Sequence, residues 1–261
     1  MAMTMKATSG RPPIPGIRVL WLAGHLIQTA GVTKRGHASY RQHDSHHPDY
    51  TVHLSDMASP SSYPQIEVLK FAVSDAYKQD PAVLNQFLNK IVKAPGVANV
   101  WHGPEVQNEA YHYVVVTPTH LNVEWAYKDA PSAYAGIQDA LTPAQKEVLY
   151  VYYTHFGDAN TDAALGAPIT ELAVADVKAD VELARFTAAG NDLLTKLISK
   201  LPNEVVPGGR GSVVGEPRKF VVCLGWQSLE SIPELVEAVT TLRGLADVDL
   251  KHARLSKYTR D

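Results

Sequence analysis

From Gln65 onward the chain alternates between two hydrophobic rhythms, one of period two and one close to period 3.6; before Gln65 neither survives. Ile66–Val73 is a run of β-forming residues and reads as a strand. Asp80-Pro81 then opens a helix, with Asp as N-cap and Pro at the first helical position. Its apolar residues Val83, Leu84, Phe87, Leu88, Ile91 and Val92 fall on one face. Pro95-Gly96 ends it. Val97–His102 is a second strand, Gly103-Pro104 a turn and Tyr111–Val116 a third strand. A short helix over Pro131–Leu141 and a strand over Val148–His155 complete the unit.

The same order returns. Leu172–Val177 is a strand. Asp180 caps a helix bearing Phe186, Leu194, Leu197, Ile198 and Leu201. Val205-Val206 and Val213-Val214 flank a glycine-rich bend, Gly208 to Gly211. Phe220–Leu224 is a strand, Ser231 and Glu234 form a capping box, and Val248–Leu255 is the last strand. Leu84 pairs with Leu193, Tyr113 with Phe220 and Trp125 with Trp226, at offsets of 109, 107 and 101. The drift falls in loops. The chain therefore reads as an arm over 1–64 and two copies of one α+β unit, 65–160 and 168–261.

In residues 1–64 prolines and glycines interrupt every period, and five histidines, from His37 to His53, lie scattered among them. Without a rigid shell they make no specific metal site. Residues 1–43 carry six basic residues and no acidic one, a composition compatible with mitochondrial targeting as well as with a disordered basic arm. The stretch Ile14–Val32 is too short and too polar to span a membrane. A net charge of −3 gives no reason to expect nucleic acid. The single cysteine, Cys223, sits in an apolar strand, so no internal disulfide forms and a reducing, cytoplasmic setting fits.

Strand-helix-strand-strand-helix-strand is the ferredoxin-like order: an antiparallel sheet with both helices on one face. The other sheet face needs a cover. Two copies in one chain can supply it to each other, which makes a monomer the expected state. Val68-Leu69-Lys70-Phe71, the spacing Val100, Gly103, Val106, and Tyr111–Val116 followed by Trp125 resemble the dimeric α/β-barrel superfamily. That superfamily includes stress-responsive A/B-barrel proteins, antibiotic-biosynthesis-type monooxygenases and olivetolic acid cyclase. The likeness implies two ferredoxin-like repeats packed sheet to sheet. It also implies a small-molecule cavity between sheet and helices, and an active-site histidine on the third strand, matched here by His112. The cyclase's second catalytic histidine has no counterpart in Pro131–Gln145, where only Tyr134 stands.

His112, with Tyr111 and Tyr113, is accordingly the candidate catalytic set; His102, Tyr152 and His252 are candidate binding residues, with Tyr150 and His155 nearby in sequence. A histidine can take a proton beside a carbonyl, and a tyrosine hydroxyl can hold the enolate oxygen that results. This suits cyclisation, isomerisation or cofactor-free oxidation of an aromatic or polyketide-like substrate, with no metal. A non-catalytic stress-responsive or ligand-binding barrel is the alternative, and haem on a cavity histidine a third. Strict alternation puts His112 on one face of its strand and both tyrosines on the other.

Overall fold

The computed structural model describes residues 65–119, 135–157, 160–228, 230 and 239–259. The arm over 1–64, Trp125, Tyr134 and the Ser231–Glu234 capping box lie outside these residues. The elements run β1 (Gln65–Val73), α1 (Asp75–Gln79), α2 (Asn85–Ile91), β2 (Val97–Pro104), β3 (Tyr111–Pro118), α3 (Ile137–Leu141) and β4 (Gln145–His155). A connecting helix, α4 (Thr161–Leu165), leads to β5 (Ile169–Val177), α5 (Leu183–Lys200), β6 (Val205–Val213), β7 (Glu216–Trp226), β8 (Ala246–Ala253) and β9 (Ser256–Lys257).

Local chemistry explains most of these starts. Ser74 caps α1 by accepting from the Tyr77 backbone N–H, and Asp80 accepts from Ala82 N–H over a 3-10 turn that leads into α2. Asp180 is not the cap of α5; that position is Glu182, whose side chain makes no cap hydrogen bond. The glycine-rich segment is not a bend but the middle of β6, paired along β7 with a bulge between Pro207 and Gly209.

The strands form one antiparallel sheet in the order β8-β5-β7-β6-β4-β1-β3-β2-β9. Within each half the order is fourth-first-third-second, the ferredoxin-like arrangement. The halves join at two seams. At one, Thr154 of β4 pairs with Val213 of β6. At the other, β2 pairs with β9 through Trp101–Lys257 and His102–Ser256, and Glu105 bridges Ala253 at the end of β8. Because β9 continues β8, the sheet closes on itself and leaves no long unpaired edge.

Two glycines permit this closure. A Cβ on Gly103 would lie 1.8 Å from the Arg254 carbonyl oxygen, and one on Gly211 would lie 2.0 Å from the His155 carbonyl oxygen. Registers make the two positions equivalent: Gly103 faces Tyr113 across β2–β3, and Gly211 faces Val221 across β6–β7.

One core cluster draws from both halves and fills the inside of the closed sheet: Ile66, Val68, Tyr113 and Val115 with Leu172, Val213, Val221 and Cys223. Leu69, Phe71, Val114 and Val116 point outward to α2 and α3 in the first half. Phe186, Leu197, Leu224 and Trp226 belong to the outer layer of the second. With both faces covered, β1 is buried along nearly its whole length, its polar residues Gln65, Glu67 and Lys70 included.

The registers correct one alignment. Ala175 faces Phe220 as Phe71 faces His112, so Phe220 is the counterpart of His112, and Val221 that of Tyr113. The one-residue slip in the sequence pairing of Tyr113 with Phe220 would put equivalent residues on opposite faces.

Candidate functional site

The alternation along β3 divides the predicted site residues among three places. His112 faces the outer layer and is buried, while Tyr113 lies inside the closed sheet. The set His112, Tyr111 and Tyr113 therefore does not form one site: the sheet stands between the histidine and the tyrosines. His102 joins His112. Tyr152 joins the tyrosines, and His252 lies apart from the other predicted residues, in the outer layer of the second half.

In the first half His112 sits at the centre of a chain of three polar groups. Its Nδ1 is 3.1 Å from the Tyr77 hydroxyl and its Nε2 is 3.3 Å from His102 Nδ1. The two imidazole rings are 5.5 Å apart, and the Tyr258 ring stands edge-on to His102 at 5.9 Å. Tyr77 comes from α1, placed by the Ser74 cap; Tyr258 follows β9, whose backbone continues onto β2 with Tyr258 N–H donating to the Val100 carbonyl. Sequence reasoning missed Tyr77, which lies in a polar stretch with no clear period.

Burial, and next the neighbouring His102, push the His112 imidazole down to about 3, so it is neutral at physiological pH. His102 is lowered by burial too, and Tyr77 is raised by it. A neutral chain of this kind has two complete hydrogen-bond orders. Either Tyr77 donates to His112 and His112 to His102, or both bonds run in reverse. Switching between them passes a proton from end to end without leaving a charge on His112. With both nitrogens engaged, His112 has no free lone pair for a haem iron, and it does not fit that role.

Inside the closed sheet, Lys70 Nζ lies 2.6 Å from Glu105 Oε2, both nearly inaccessible. The Tyr113 hydroxyl donates to the same carboxylate oxygen at 3.3 Å. The ammonium also stands 5.0 Å from the ring centres of Tyr111 and Tyr113. Tyr150 and Tyr152 stack at 4.4 Å, with Lys219 over Tyr152. Burial raises the hydroxyls of Tyr113 and Tyr150 well above the ordinary tyrosine range. The closed ion pair and the tyrosines around it make a polar core inside the sheet.

The outer layer of each half also buries one glutamate. Glu67 faces Tyr153 and Glu171 faces His252 at matched positions of β1 and β5. Burial pushes Glu67 up to about 7, against a hydrogen bond with Tyr153, and raises Glu171 as well. No group of three or more His, Cys, Asp or Glu residues suited to a metal occurs among the described residues. Nor is any helix there long and apolar enough to cross a membrane. Cys223 is buried, and burial raises its thiol.

No protein-family model matches the chain, and no curated protein matches it. Solved structures do. A candidate monooxygenase from Fusobacterium nucleatum subsp. nucleatum superposes with a TM-score of 0.55 at 11% identity, over 77% of this chain and 100% of its own. A candidate monooxygenase from Lactobacillus acidophilus NCFM gives 0.52 at 13%, over 76% and 96%. An anthrone oxidase-like protein gives 0.52 at 10%, over 77% and 94%. What they share with this chain is the fold, α+β with one large antiparallel sheet. Either half alone is well under half of the chain, so these matches span both halves. Identities this low carry the fold and nothing finer.

Proposed function

We propose that the chain is a small-molecule enzyme that moves a proton on an aromatic or polyketide-like substrate, through the Tyr77–His112–His102 chain of its first half. The observation that carries this reading is the buried His112, hydrogen-bonded at both nitrogens to groups that are each half-buried. The structural neighbours named as monooxygenases and as anthrone oxidase-like support a small aromatic substrate. His102, the less buried imidazole, takes the proton from a C–H beside the substrate carbonyl. It passes its Nδ1 proton to His112, which passes its own to Tyr77, whose hydroxyl proton goes to water. His112 is too weak a base to store the proton, so the transfer along the chain is concerted. The enolate formed then cyclises, isomerises or meets dioxygen, with no metal or cofactor among the groups that move the proton.

The test is deuterium exchange into the C10 methylene of anthrone in heavy water, followed by NMR. Wild type is expected to accelerate it, and His112→Phe and Tyr77→Phe to lose about 100-fold or more. Exchange at the background rate in wild type, or unchanged in His112→Phe, overturns the reading.

A second reading, a non-catalytic ligand-binding or stress-responsive barrel, draws on the second half. There Phe220 stands in the place of His112 and packs against Phe186 at 5.1 Å, with no proton chain. Anthrone binding without exchange is its signature.

We also propose that the halves, 65–160 and 168–261, descend from one duplicated unit. The repeated strand order, the matched seam glycines and the matched buried glutamates support this. Each half covers the other's inner face, so the protein is expected to be a monomer by light scattering. A reducing compartment, cytoplasmic or mitochondrial, suits its one buried cysteine.

A further inference from the structure

Taking a proton from a carbon beside a carbonyl leaves an enolate, whose oxygen needs a hydrogen-bond donor. The relay itself supplies none. The Tyr77 hydroxyl is engaged with His112 Nδ1 at 3.1 Å, at the far end of the chain from His102. Tyr111 and Tyr113 stand across the sheet, around Lys70.

One further tyrosine lies beside His102. The Tyr258 ring is edge-on to the imidazole, with ring centres 5.9 Å apart. It arrives from the second half on a track fixed by the backbone. Arg254 N–H donates to the Pro104 carbonyl at 3.2 Å, and Leu255 is buried in the inner cluster. Ser256 then pairs with His102 and Lys257 with Trp101, and Tyr258 N–H donates to the Val100 carbonyl at 2.8 Å. Strand alternation turns Tyr258 to the outer face, where its ring packs on the cluster that holds Leu69 and Val100. Main-chain bonds and ring packing therefore place this side chain, and its hydroxyl is not needed for that.

Two polar atoms are left uncommitted at this spot. His102 spends Nδ1 on His112, and its Nε2 has no hydrogen-bond partner among the described residues. The Tyr258 hydroxyl has none among them either. Both residues are part-exposed, and neither atom is a buried orphan, so both reach solvent. A substrate can meet them from outside without a closed cavity. A free imidazole lone pair and a free O–H on neighbouring rings are a base and a donor, the two groups that enolisation requires.

We propose that Tyr258 is a catalytic residue of the first-half site, its hydroxyl donating to the substrate oxygen while His102 Nε2 takes the proton; this rests on the proton-transfer reading above. In that step the C–H bond breaks and its proton goes to Nε2. The C–H electron pair becomes part of a new C=C bond, and the carbonyl π pair moves onto oxygen, where the Tyr258 O–H holds it. The substrate class is a conjugated aromatic ketone, with the acidic C–H and the oxygen in one planar system that touches both rings. The site is then built from both halves: the base comes from β2 and the donor from the segment after β9.

Tyr258→Phe in the full-length protein is the test. It keeps the ring, its packing and the main-chain bonds, so its melting temperature should match wild type. In the anthrone exchange assay kcat should fall about 100-fold, the cost of losing one donor to a developing oxyanion. KM should change less than about threefold, because the bond strengthens as charge develops on the oxygen. An unchanged kcat overturns the proposal, and so does a loss confined to KM, which would make Tyr258 a binding wall. Background exchange in wild type overturns the relay and this proposal together. Full exchange in His112→Phe, with loss in Tyr258→Phe, overturns the relay alone.

Discussion

Replacing Lys70 with methionine should destabilise the protein more than replacing Glu105 with leucine, and making both changes together should cost less than either alone. The pair is buried inside the closed sheet at 2.6 Å. Without Lys70, the Glu105 carboxylate keeps only the Tyr113 hydroxyl, and an uncompensated buried charge costs about 3–5 kcal/mol. Without Glu105, the ammonium still faces two tyrosine rings at 5.0 Å, which retain about 1–2 kcal/mol of attraction. The loss in Glu105→Leu should then be about 2–3 kcal/mol. In the double variant the desolvation penalty disappears with the charges, and apolar residues of similar volume occupy the space at a net cost of about 1 kcal/mol or less. The second half shows that the fold accepts this: registers place Val174, Val213 and Val221 where the first half has Lys70, Glu105 and Tyr113. Urea unfolding followed by tryptophan fluorescence, compared at equal slope, gives the three values. Against a total of about 5–15 kcal/mol the single losses are large and easily read. Losses that simply add in the double variant would refute the reasoning, because they would mean that neither charge depends on the other.

Stability should fall as pH drops from the ordinary histidine value of 6.5 toward about 3, because unfolded His112 takes a proton that the folded protein refuses. His112→Phe should flatten this slope, which denaturant titrations at several pH values will show. Glu67 works in the opposite sense. Its folded value of about 7, above the ordinary 4.5, makes the folded protein hold a proton that the unfolded chain has released, so this stabilisation is lost as pH rises from 4.5 through 7. Glu67→Gln should therefore raise the melting temperature at pH 8 and change little at pH 4; a lower melting temperature at pH 8 would count against it. Gly103→Ala and Gly211→Ala should each cost about 1–3 kcal/mol or more, since the new methyl meets backbone carbonyls that cannot swing aside. A melting temperature unchanged in both would mean that the seams are looser than their geometry.

The fold was legible where periodicity is strong. The strands other than β6 and β9, together with α2 and α5, follow from alternation and from helical spacing, and both halves take the ferredoxin-like order. β6 was not legible, because its glycines serve a close approach that exists only once the halves have met. Gly211 lies against a carbonyl from β4, more than fifty residues earlier in the chain. A glycine-rich stretch gives a local reader a turn signal, and the tertiary contact overrides it. The same holds for the site. His112 stood out as a polar residue in an apolar strand, and alternation correctly separated it from its flanking tyrosines. Tyr77, Glu105 and Gln107 did not stand out, because their significance comes from partners 35, 35 and 145 residues away: His112, Lys70 and His252.

What separates the two halves is where each tolerates polar groups. Inside the closed sheet the first half places a lysine, a glutamate and a tyrosine, and the second places three valines at the same positions. In the outer layer the first half has a histidine where the second has Phe220. At the fourth strand the difference reverses, with Tyr153 in the first half and His252 in the second. Packing alone would drive equivalent positions toward similar volume and polarity, since the strand order and the seams are shared. The difference between the halves therefore concerns chemistry more than architecture. Each half carries one fully buried imidazole on its helix-covered face, at a different strand and with different partners. Both imidazoles depend on the other half: Tyr258, which closes over His102, follows β9 of the second half, and Gln107, which orients His252, follows β2 of the first. Cutting the chain between residues 156 and 168 would thus remove the Tyr258 ring from beside His102 and the orienting amide from His252, even if each half kept its own sheet.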